Sequence, residues 1–411
     1  MFASTAFGQL RYIQETTPGV TPITGTGVNL RTTGPDTKAA VQSVVSNEIT
    51  ANRMVSSSTN VDLAVDGGFA FELSAREYDP FIAGVMCNTW RHYGTDGCSA
   101  PLSVTTAANK ITAATAPTGA DAFTNLKSGQ WFRLVPDATA PYLVRDYFAN
   151  TWLKVSDTVA PTSTVITLDA STPLAGAGLL GAATSARITS SVVVNGKARS
   201  SFSLEWEQGD IGQFLQYTGM RPNTMSLDFA VGAILTGSFG FFGQKHSITQ
   251  ASALPGGPNF TPSRDGEVMN SVTNMGVLAI SGTNLLAGGT SFVHNAKLEI
   301  TNNLRGQKAL GVFGNAGVGY GDFGVSGSLE AYFENEQLYQ LALRGDGITL
   351  ALGVTDGAGN GYLIELPRAK FTNPALNLGS KDSDVMVSLP FQAFFDTKKG
   401  YGISITRAAV A

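Results

Sequence analysis

The sequence predicts a mainly β protein with short helices, an internal duplication and one inserted small β-barrel. Three observations lead to this prediction. Several segments alternate apolar and polar residues, which is the period of a strand because successive side chains point to opposite faces. The 411 residues include 47 glycines and only 14% charged residues, a composition typical of strands and turns. A strand followed by a short helix occurs twice, which indicates a repeat.

The clearest alternation runs through residues 219–243 and predicts two strands joined by a turn near Gly232. One face of this hairpin is apolar and is expected to pack in the core; it contains Met225, Leu227, Phe229, Phe239 and Phe241. The other face is small and polar, and it contains Ser226, Asp228, Thr236 and Ser238. This pattern is that of an antiparallel sheet with one buried and one solvated face.

A counterpart of this hairpin is predicted around residues 295–333. Its last strand, 325–333, places Leu329 and Phe333 on the apolar face. The polar face of the same strand contains Ser326, Ser328 and Glu330. Segments 69–74 and 385–393 alternate in the same way, so four parts of the chain predict half-buried strands.

Apolar residues at helical spacing predict short helices at 78–87, 211–217 and 335–343. Two of them follow a predicted strand, and this repeated order divides the chain into two similar domains. The first domain is expected to comprise residues 1–100 and 184–250, and the second residues 251–411. Between 32 and 61 the chain is polar and lacks apolar periodicity over a length greater than that of an ordinary connection, so it is expected to order only on a neighbouring molecule.

Residues 101–183 differ from the rest and predict an inserted small β-barrel on the outer surface, built from short strands that include 142–156. Its aromatic residues include Trp131, Phe132, Tyr147, Phe148 and Trp152. They could form a binding platform, but a small barrel must bury something large, so a role in its core and rim is favoured.

Charge and motifs argue against several classes of function. The net charge of −4 does not suit a surface that grips phosphates, and no apolar run is long enough to span a bilayer. No secretory signal is recognised at the N-terminus, so synthesis and folding in a cytoplasm are expected, with Cys87 and Cys98 as two free thiols.

No catalytic, cofactor-binding or metal-binding residue is predicted. His92, His246 and His294 have no carboxylate or cysteine at ligand spacing. The glycines of 311–324 resemble a phosphate-binding loop but lack its lysine, so a loop between strands is favoured there. Isolated carboxylates on polar strand faces are ordinary, so a hydrolase is disfavoured.

Three segments together resemble the major tail tube proteins of tailed bacteriophages with long, non-contractile tails (siphophages). They are YIQETTPGVTP, SNEITANR with GGFAFELSAREYDPFIAGVM, and FLQYTGMRPNTMSLDFAVGAILTGSFGFFG. The resemblance is good over about the first hundred residues and residues 190–243, and looser in the C-terminal half. It implies β-sandwich domains with flanking helices that assemble as stacked rings around a DNA channel.

The alternating hairpins fit this implication, because hairpins can join edge to edge and close a barrel without exposed edges. The polar residues named above would then line the lumen, and double-stranded DNA would pass without specific binding. With two domains per chain, a ring of six-fold geometry needs three chains. Segment 32–61 would be an arm that reaches the next subunit or ring, and other tail proteins would bind the tube ends.

Two alternatives remain open at this point. One is another virion component, such as a tail terminator, a head decoration protein or a fibre domain. A fibre would show sustained repeats or heptads, and the sequence has neither. The other is a secreted carbohydrate-binding β-sandwich that uses the aromatic residues of the insert. Purified protein that forms tubes or rings would favour the tail tube over both.

Overall fold

The structure is a computed structural model that describes residues 2–107, 109–172, 174, 178–287, 292–334 and 336–409. It is mainly β, with three α-helices among the described residues and short 3-10 segments at Thr5–Phe7, Gly119–Asp121, Phe123–Asn125 and Leu285–Ala287. The strands and helices fall into two repeats and an insert, and their bounds are given in that grouping below.

The N-terminal part consists of β1 (Gly8–Gln14), β2 (Val28–Leu30), β3 (Gly34–Pro35), β4 (Lys38–Val45), β5 (Ser58–Glu72), α1 (Asp79–Val85) and β6 (Arg91–His92). The insert consists of β7 (Leu102–Ala107), β8 (Lys110–Ala113), β9 (Trp131–Pro136), α2 (Tyr142–Ala149), β10 (Leu153–Lys154), β11 (Val165–Thr167) and β12 (Thr184–Thr189). After the insert come β13 (Ser191–Val194), β14 (Phe202–Gln208), β15 (Gln213–Ala230), β16 (Thr236–Phe242) and β17 (Lys245–Thr249).

The C-terminal part begins with β18 (Met275–Ile280), β19 (Thr283–Asn284), β20 (Val293–Thr301), β21 (Arg305–Gln307), β22 (Gly317–Gly319) and β23 (Gly324–Tyr332). It continues with α3 (Gln337–Arg344), β24 (Ile348–Thr355), β25 (Gly361–Phe371), β26 (Ala375–Asn377), β27 (Met386–Ala393) and β28 (Ser404–Ala408). Two of the three predicted helices are therefore present, 78–87 as α1 and 335–343 as α3. Residue 335 itself lies outside the described residues.

The same antiparallel pairings occur in both halves of the chain. In the first half they are β2–β1, β1–β14, β14–β15, β15–β17, β15–β16, β16–β5 and β5–β4. In the second half they are β19–β18, β18–β24, β24–β25, β25–β28, β25–β27, β27–β23 and β23–β20. A helix follows β5 and β23 alike. We call these two sets of strands the first repeat and the second repeat.

The register of the β14–β15 ladder matches that of the β24–β25 ladder, so residues of the two repeats can be aligned. The β14–β15 ladder shifts between Phe202 and Leu204, and the β24–β25 ladder shifts between Ile348 and Leu350. This shared irregularity sets the alignment of the two ladders, because a bulge is a fixed local feature of a strand pair.

One sheet runs through both repeats, in the order β5-β16-β15-β20-β23-β27, with β3 and the start of β4 beyond β5, and with β26 and the end of β25 beyond β27. We call it the wall sheet. Its packing face is apolar and contacts α1 and the strands of the opposite layer, which we call the outer strands. They are β1, β2, β14, β17 and the start of β15 in the first repeat, and β18, β19, β24, β28 and the start of β25 in the second. Buried side chains on this face include Met225, Leu227, Phe229, Phe239, Phe241 and Leu329. Phe333, which was expected to pack with them, is 38% exposed.

Aromatic rings hold α1 between the layers of the first repeat. The ring of Phe81 lies 4.7 Å from that of Tyr12 on β1 and 5.2 Å from that of Phe69 on β5. Pro80 lies in the first turn of α1, where its missing N–H costs no hydrogen bond. The helix therefore fills the space between the wall sheet and the outer strands.

Two predicted elements were wrong. Residues 211–217 do not form a helix, because Gln213–Tyr217 belong to β15 and pair with both β14 and β17. Residues 142–149 were predicted as strand but form α2, in which Val144 and Phe148 lie one helical turn apart and are both buried. In each case tertiary pairing or packing decided between two patterns that a short apolar segment can satisfy.

The insert is a six-stranded sheet in the order β10-β9-β12-β7-β8-β11. It curls until its edges meet at a single bridge between Val155 and Leu168, so it is not the closed barrel that the sequence predicted. The sheet also includes β12, which lies beyond residue 183.

The polar segment 32–61 is not irregular, contrary to expectation. It forms β3, β4 and the start of β5, and β4–β5 is a long hairpin whose tip lies between Val45 and Ser58. Strand pairing orders this segment because β5 simply continues beyond the wall sheet. We call the hairpin formed by β4 and the first half of β5 the arm. Cys87 and Cys98 are free and buried, as predicted.

Candidate functional site

The polar side chains singled out in the sequence lie on one face of the wall sheet. Ser226 pairs with Ser238 on one side and with Glu299 on the other, and Glu299 pairs with Ser326. The next row is formed by Thr236, Asp228, Lys297 and Ser328. Glu330 follows at its pair with Asn295. The register thus brings all seven candidates onto a single surface that crosses both repeats.

This polar face carries charges of both signs. The Lys297 Nζ lies 3.4 Å from Oδ2 of Asp228, and both side chains are partly exposed. Exposed ion pairs contribute little to stability, so this pair chiefly balances charge on the face. The Ser226 and Ser238 hydroxyl oxygens lie 2.7 Å apart, which joins β15 and β16 on the same side.

Sequence reasoning missed Lys297 and Glu299, which add one cation and one carboxylate to the neutral and acidic residues predicted for this face. The signal was present, since Ala296, Leu298 and Ile300 alternate with them on β20 and are buried. These three residues share the period of two that identified the other strands.

The arm is fixed to the body near its base. Both carboxylate oxygens of Asp62 accept hydrogen bonds from the Lys308 Nζ, at 2.6 and 2.7 Å. The hydrogen bond from Lys308 lowers the pKa of Asp62 below its ordinary value. Beyond this contact the arm exposes large apolar side chains, among them Ile49 and Met54 at its tip, and the loop that holds Lys308 exposes Leu310.

The two repeats interlock at α1. Tyr362 on β25 donates a hydrogen bond to Oδ1 of Asp79 at 2.6 Å, and Arg407 on β28 forms an ion pair with Oδ2. Burial, with the Asp79 charge as a second cause, holds the pKa of Tyr362 well above its usual value, so it remains a donor. At the other end of α1, the Asn302 amide donates to the carbonyl of Val85 at 2.9 Å. The second repeat therefore contacts both ends of the first repeat's helix.

The insert packs against the outer strands of the second repeat. Trp131 and Trp152 are buried against Val277, Ala351 and Leu363, and the other three aromatic residues named in the sequence analysis are buried or half-buried. The Lys154 Nζ lies 3.1 Å from Oε1 of Glu365 across the same contact. A cavity of about 340 Å³ lies beside the two indoles. The aromatic residues thus serve the core and the junction rather than an exposed platform.

The residues that the structure describes contain no group of three or more histidine, cysteine, aspartate or glutamate residues placed to hold a metal ion. None of their helices is long and apolar enough to cross a membrane. Burial is the largest cause of the lowered pKa of His92. The Nδ1 of His92 lies 2.8 Å from the Ser191 hydroxyl oxygen, and this contact joins two neighbouring strands.

Among the described residues, the wall sheet that joins the two repeats is open at both edges, and an open edge offers unpaired N–H and C=O groups to another strand. A family model described as "Phage tail tube protein" matches residues 6–393, nearly the whole chain. The chain therefore belongs to the phage tail tube protein family, a structural family of the virion. No curated protein matches the sequence.

Proposed function

We propose that the chain polymerises as stacked rings into a tail tube, and that the polar face of the wall sheet lines the conduit for double-stranded DNA ejected into the host. The observation that supports this most strongly is the wall sheet itself, which has one packed face, one polar face and two open edges. An exposed edge offers unpaired N–H and C=O groups to another strand. Rings remove such edges, because each edge finds a partner in the next copy.

The pairing between the repeats suggests how copies join. Within the chain, β15 of the first repeat pairs with β20 of the second. By the repeat alignment, β15 corresponds to the end of β25 with β26, and β20 corresponds to β3 with the start of β4. We therefore propose that the edge formed by β25 and β26 pairs with β3 and the start of β4 of the next copy.

Ring size is proposed from the two repeats of each chain together with the six-fold geometry that the tail tube resemblance implies. Each chain supplies two repeats to the wall, so a ring with six-fold pseudo-symmetry contains three chains. If the contact between chains is the same as the contact between the two repeats of one chain, a closed ring contains a whole number of repeats. We propose a trimeric ring, and six chains per ring would contradict the use of both repeats in the wall.

The arm is proposed to link one ring to the next. It projects beyond the end of the wall sheet, and its exposed apolar residues Ile49, Met54 and Val55 would be buried on contact with a neighbouring ring. Head-to-tail contacts of this type build open filaments, since one end of each ring remains complementary to the other end of the next. Other tail proteins would bind the two ends of the tube.

The lumen is proposed to conduct DNA without holding it. The polar face carries several carboxylates, and Lys297 is balanced by Asp228 at 3.4 Å. Unpaired lysine or arginine contacts to phosphates would act as a brake that is repeated in every ring. The insert is proposed to lie on the outer surface, because it contacts the outer strands of the second repeat and would obstruct a channel.

Electron microscopy of the purified chain tests this proposal. Tubes with a central channel and three chains per ring are expected. A dispersed monomer at all concentrations, or rings that never stack, would contradict the tail tube function. The protein would act in the virion after synthesis in the host cytoplasm, without catalysis.

A further inference from the structure

The two repeats differ in what covers the end of the wall sheet near each helix. In the first repeat, Leu73 and Phe229 are buried. They face Leu352, Ile364 and Ile405 of the second repeat across a space of only about 20 Å³. The outer strands β24, β25 and β28 therefore extend past their own repeat and cover the preceding one.

The equivalent positions in the second repeat have no such cover. The Leu73 N–H donates to the carbonyl of Leu235 at 2.8 Å, and the Phe333 N–H donates to the carbonyl of Val385 at 2.9 Å. Leu73 and Phe333 are thus equivalent.

The neighbouring ladders align Phe229 with Leu378 in the same way. Thr236 follows the acceptor residue Leu235 and pairs with Asp228, and Met386 follows the acceptor residue Val385 and pairs with Asn377. Phe229 and Leu378 each come directly after these paired residues, so they are equivalent. Phe333 is 38% exposed and Leu378 is 71% exposed, although their counterparts in the first repeat are buried. We call Phe333 and Leu378 the acceptor patch.

The covering surface also has an unused copy, in the first repeat. Trp206 pairs with Leu215, and Leu215 pairs with Ile248. In the second repeat Leu352 pairs with Ile364, and Ile364 pairs with Ile405. The two sets are therefore equivalent.

Ile405 is buried on the preceding repeat, whereas its counterpart Ile248 is 61% exposed. Trp206 and Leu215 are half-buried beside Ile248. We call Trp206, Leu215 and Ile248 the donor patch.

We propose that the acceptor patch of one chain receives the donor patch of a second copy, as the first repeat receives the second within the chain. Both surfaces are apolar, and each lacks only the partner that its counterpart has. The contact rests on the proposed ring assembly and identifies the side-to-side surface of that ring. It also explains why Phe333 has the sequence pattern of a buried residue and yet is exposed in one chain.

Thiol cross-linking tests the contact. In assembled protein with Ile248→Cys and Leu378→Cys, a short bis-maleimide is expected to link chains into covalent dimers and closed trimers. A matched control combines Ile248→Cys with Leu143→Cys, because Leu143 on α2 is 68% exposed but belongs to the insert. The control is expected to give no product between chains. The native cysteines Cys87 and Cys98 are buried.

A charge substitution gives a second readout. Leu378→Asp is expected to abolish rings while leaving a folded monomer, and Leu143→Asp is expected to leave rings intact. Wild-type tubes together with no cross-link in the Ile248/Leu378 pair, or normal rings from Leu378→Asp, would overturn the contact and leave the tail tube function standing. A wild-type chain that never forms rings would instead refute the function on which the contact rests.

Discussion

Replacement of Phe239 by alanine tests whether the apolar face of the opening hairpin builds the core. Phe239 is buried, and its ring lies 5.1 Å from Phe71, 5.5 Å from Phe69 and 5.7 Å from Phe81. Truncating such a side chain removes apolar burial and leaves a cavity among rings that belong to β5 and α1. Phe→Ala substitutions in cores cost about 3–5 kcal/mol, and we expect a loss of unfolding free energy in that range.

The control is the adjacent residue on the opposite face. Ser238→Ala removes one hydroxyl that lies 2.7 Å from that of Ser226. A single neutral hydrogen bond contributes roughly 0.5–1.5 kcal/mol, so a much smaller loss is expected. Urea unfolding of the dispersed chain, followed by circular dichroism, measures both variants as a change of midpoint at constant slope. Equal losses for the two variants would refute the assignment of the faces.

Three further predictions concern assembly. Phage that assemble with Asp228→Lys and Glu330→Lys should eject DNA more slowly than phage with Asp228→Asn and Glu330→Gln, because added cations bind phosphates; equal rates would exclude a role for lumen charge. Lys308→Ala should increase amide hydrogen exchange at the arm base. The pKa of Asp62 is lowered from its ordinary value of 3.8, so the carboxylate is charged at pH 5 and the wild-type contact should persist there. The contact should be lost only as the pH falls through the lowered pKa. Unchanged exchange in the variant would show that the contact does not hold the arm. Deleting residues 94–189 with a short Gly/Ser bridge should give narrower tubes with a lower melting temperature, since the outer strands lose their tryptophan cover; a folded deletion protein that forms no tubes would contradict an outer position.

The strands of the wall sheet could be predicted because alternation is a local property of the sequence. Leu227 and Phe239 are buried, and Ser226 and Ser238 face the other side, as the period of two requires. The short helices were harder, because a seven-residue segment such as 211–217 satisfies both periods. In the structure its residues pair with two strands, and that pairing involves residues about ten and thirty positions away.

The assembly surfaces could not be read from the sequence for a different reason. Leu378 and Phe229 occupy equivalent positions and are both large and apolar, yet one is exposed and the other is buried. The second repeat follows the first and covers Phe229, whereas no further repeat follows in the described part of the chain to cover Leu378. The difference in burial therefore does not come from the residue itself or from its neighbours in the sequence. Only the alignment of the two repeats in three dimensions separates a core position from a proposed contact position.

A cryo-electron microscopy reconstruction of tubes formed by the wild-type chain tests the central claim most directly. We predict three chains per ring, a continuous wall built from both repeats, and Ser226, Asp228 and Glu330 facing the lumen. Six chains per ring, or a wall sheet whose polar face points outward, would contradict the account.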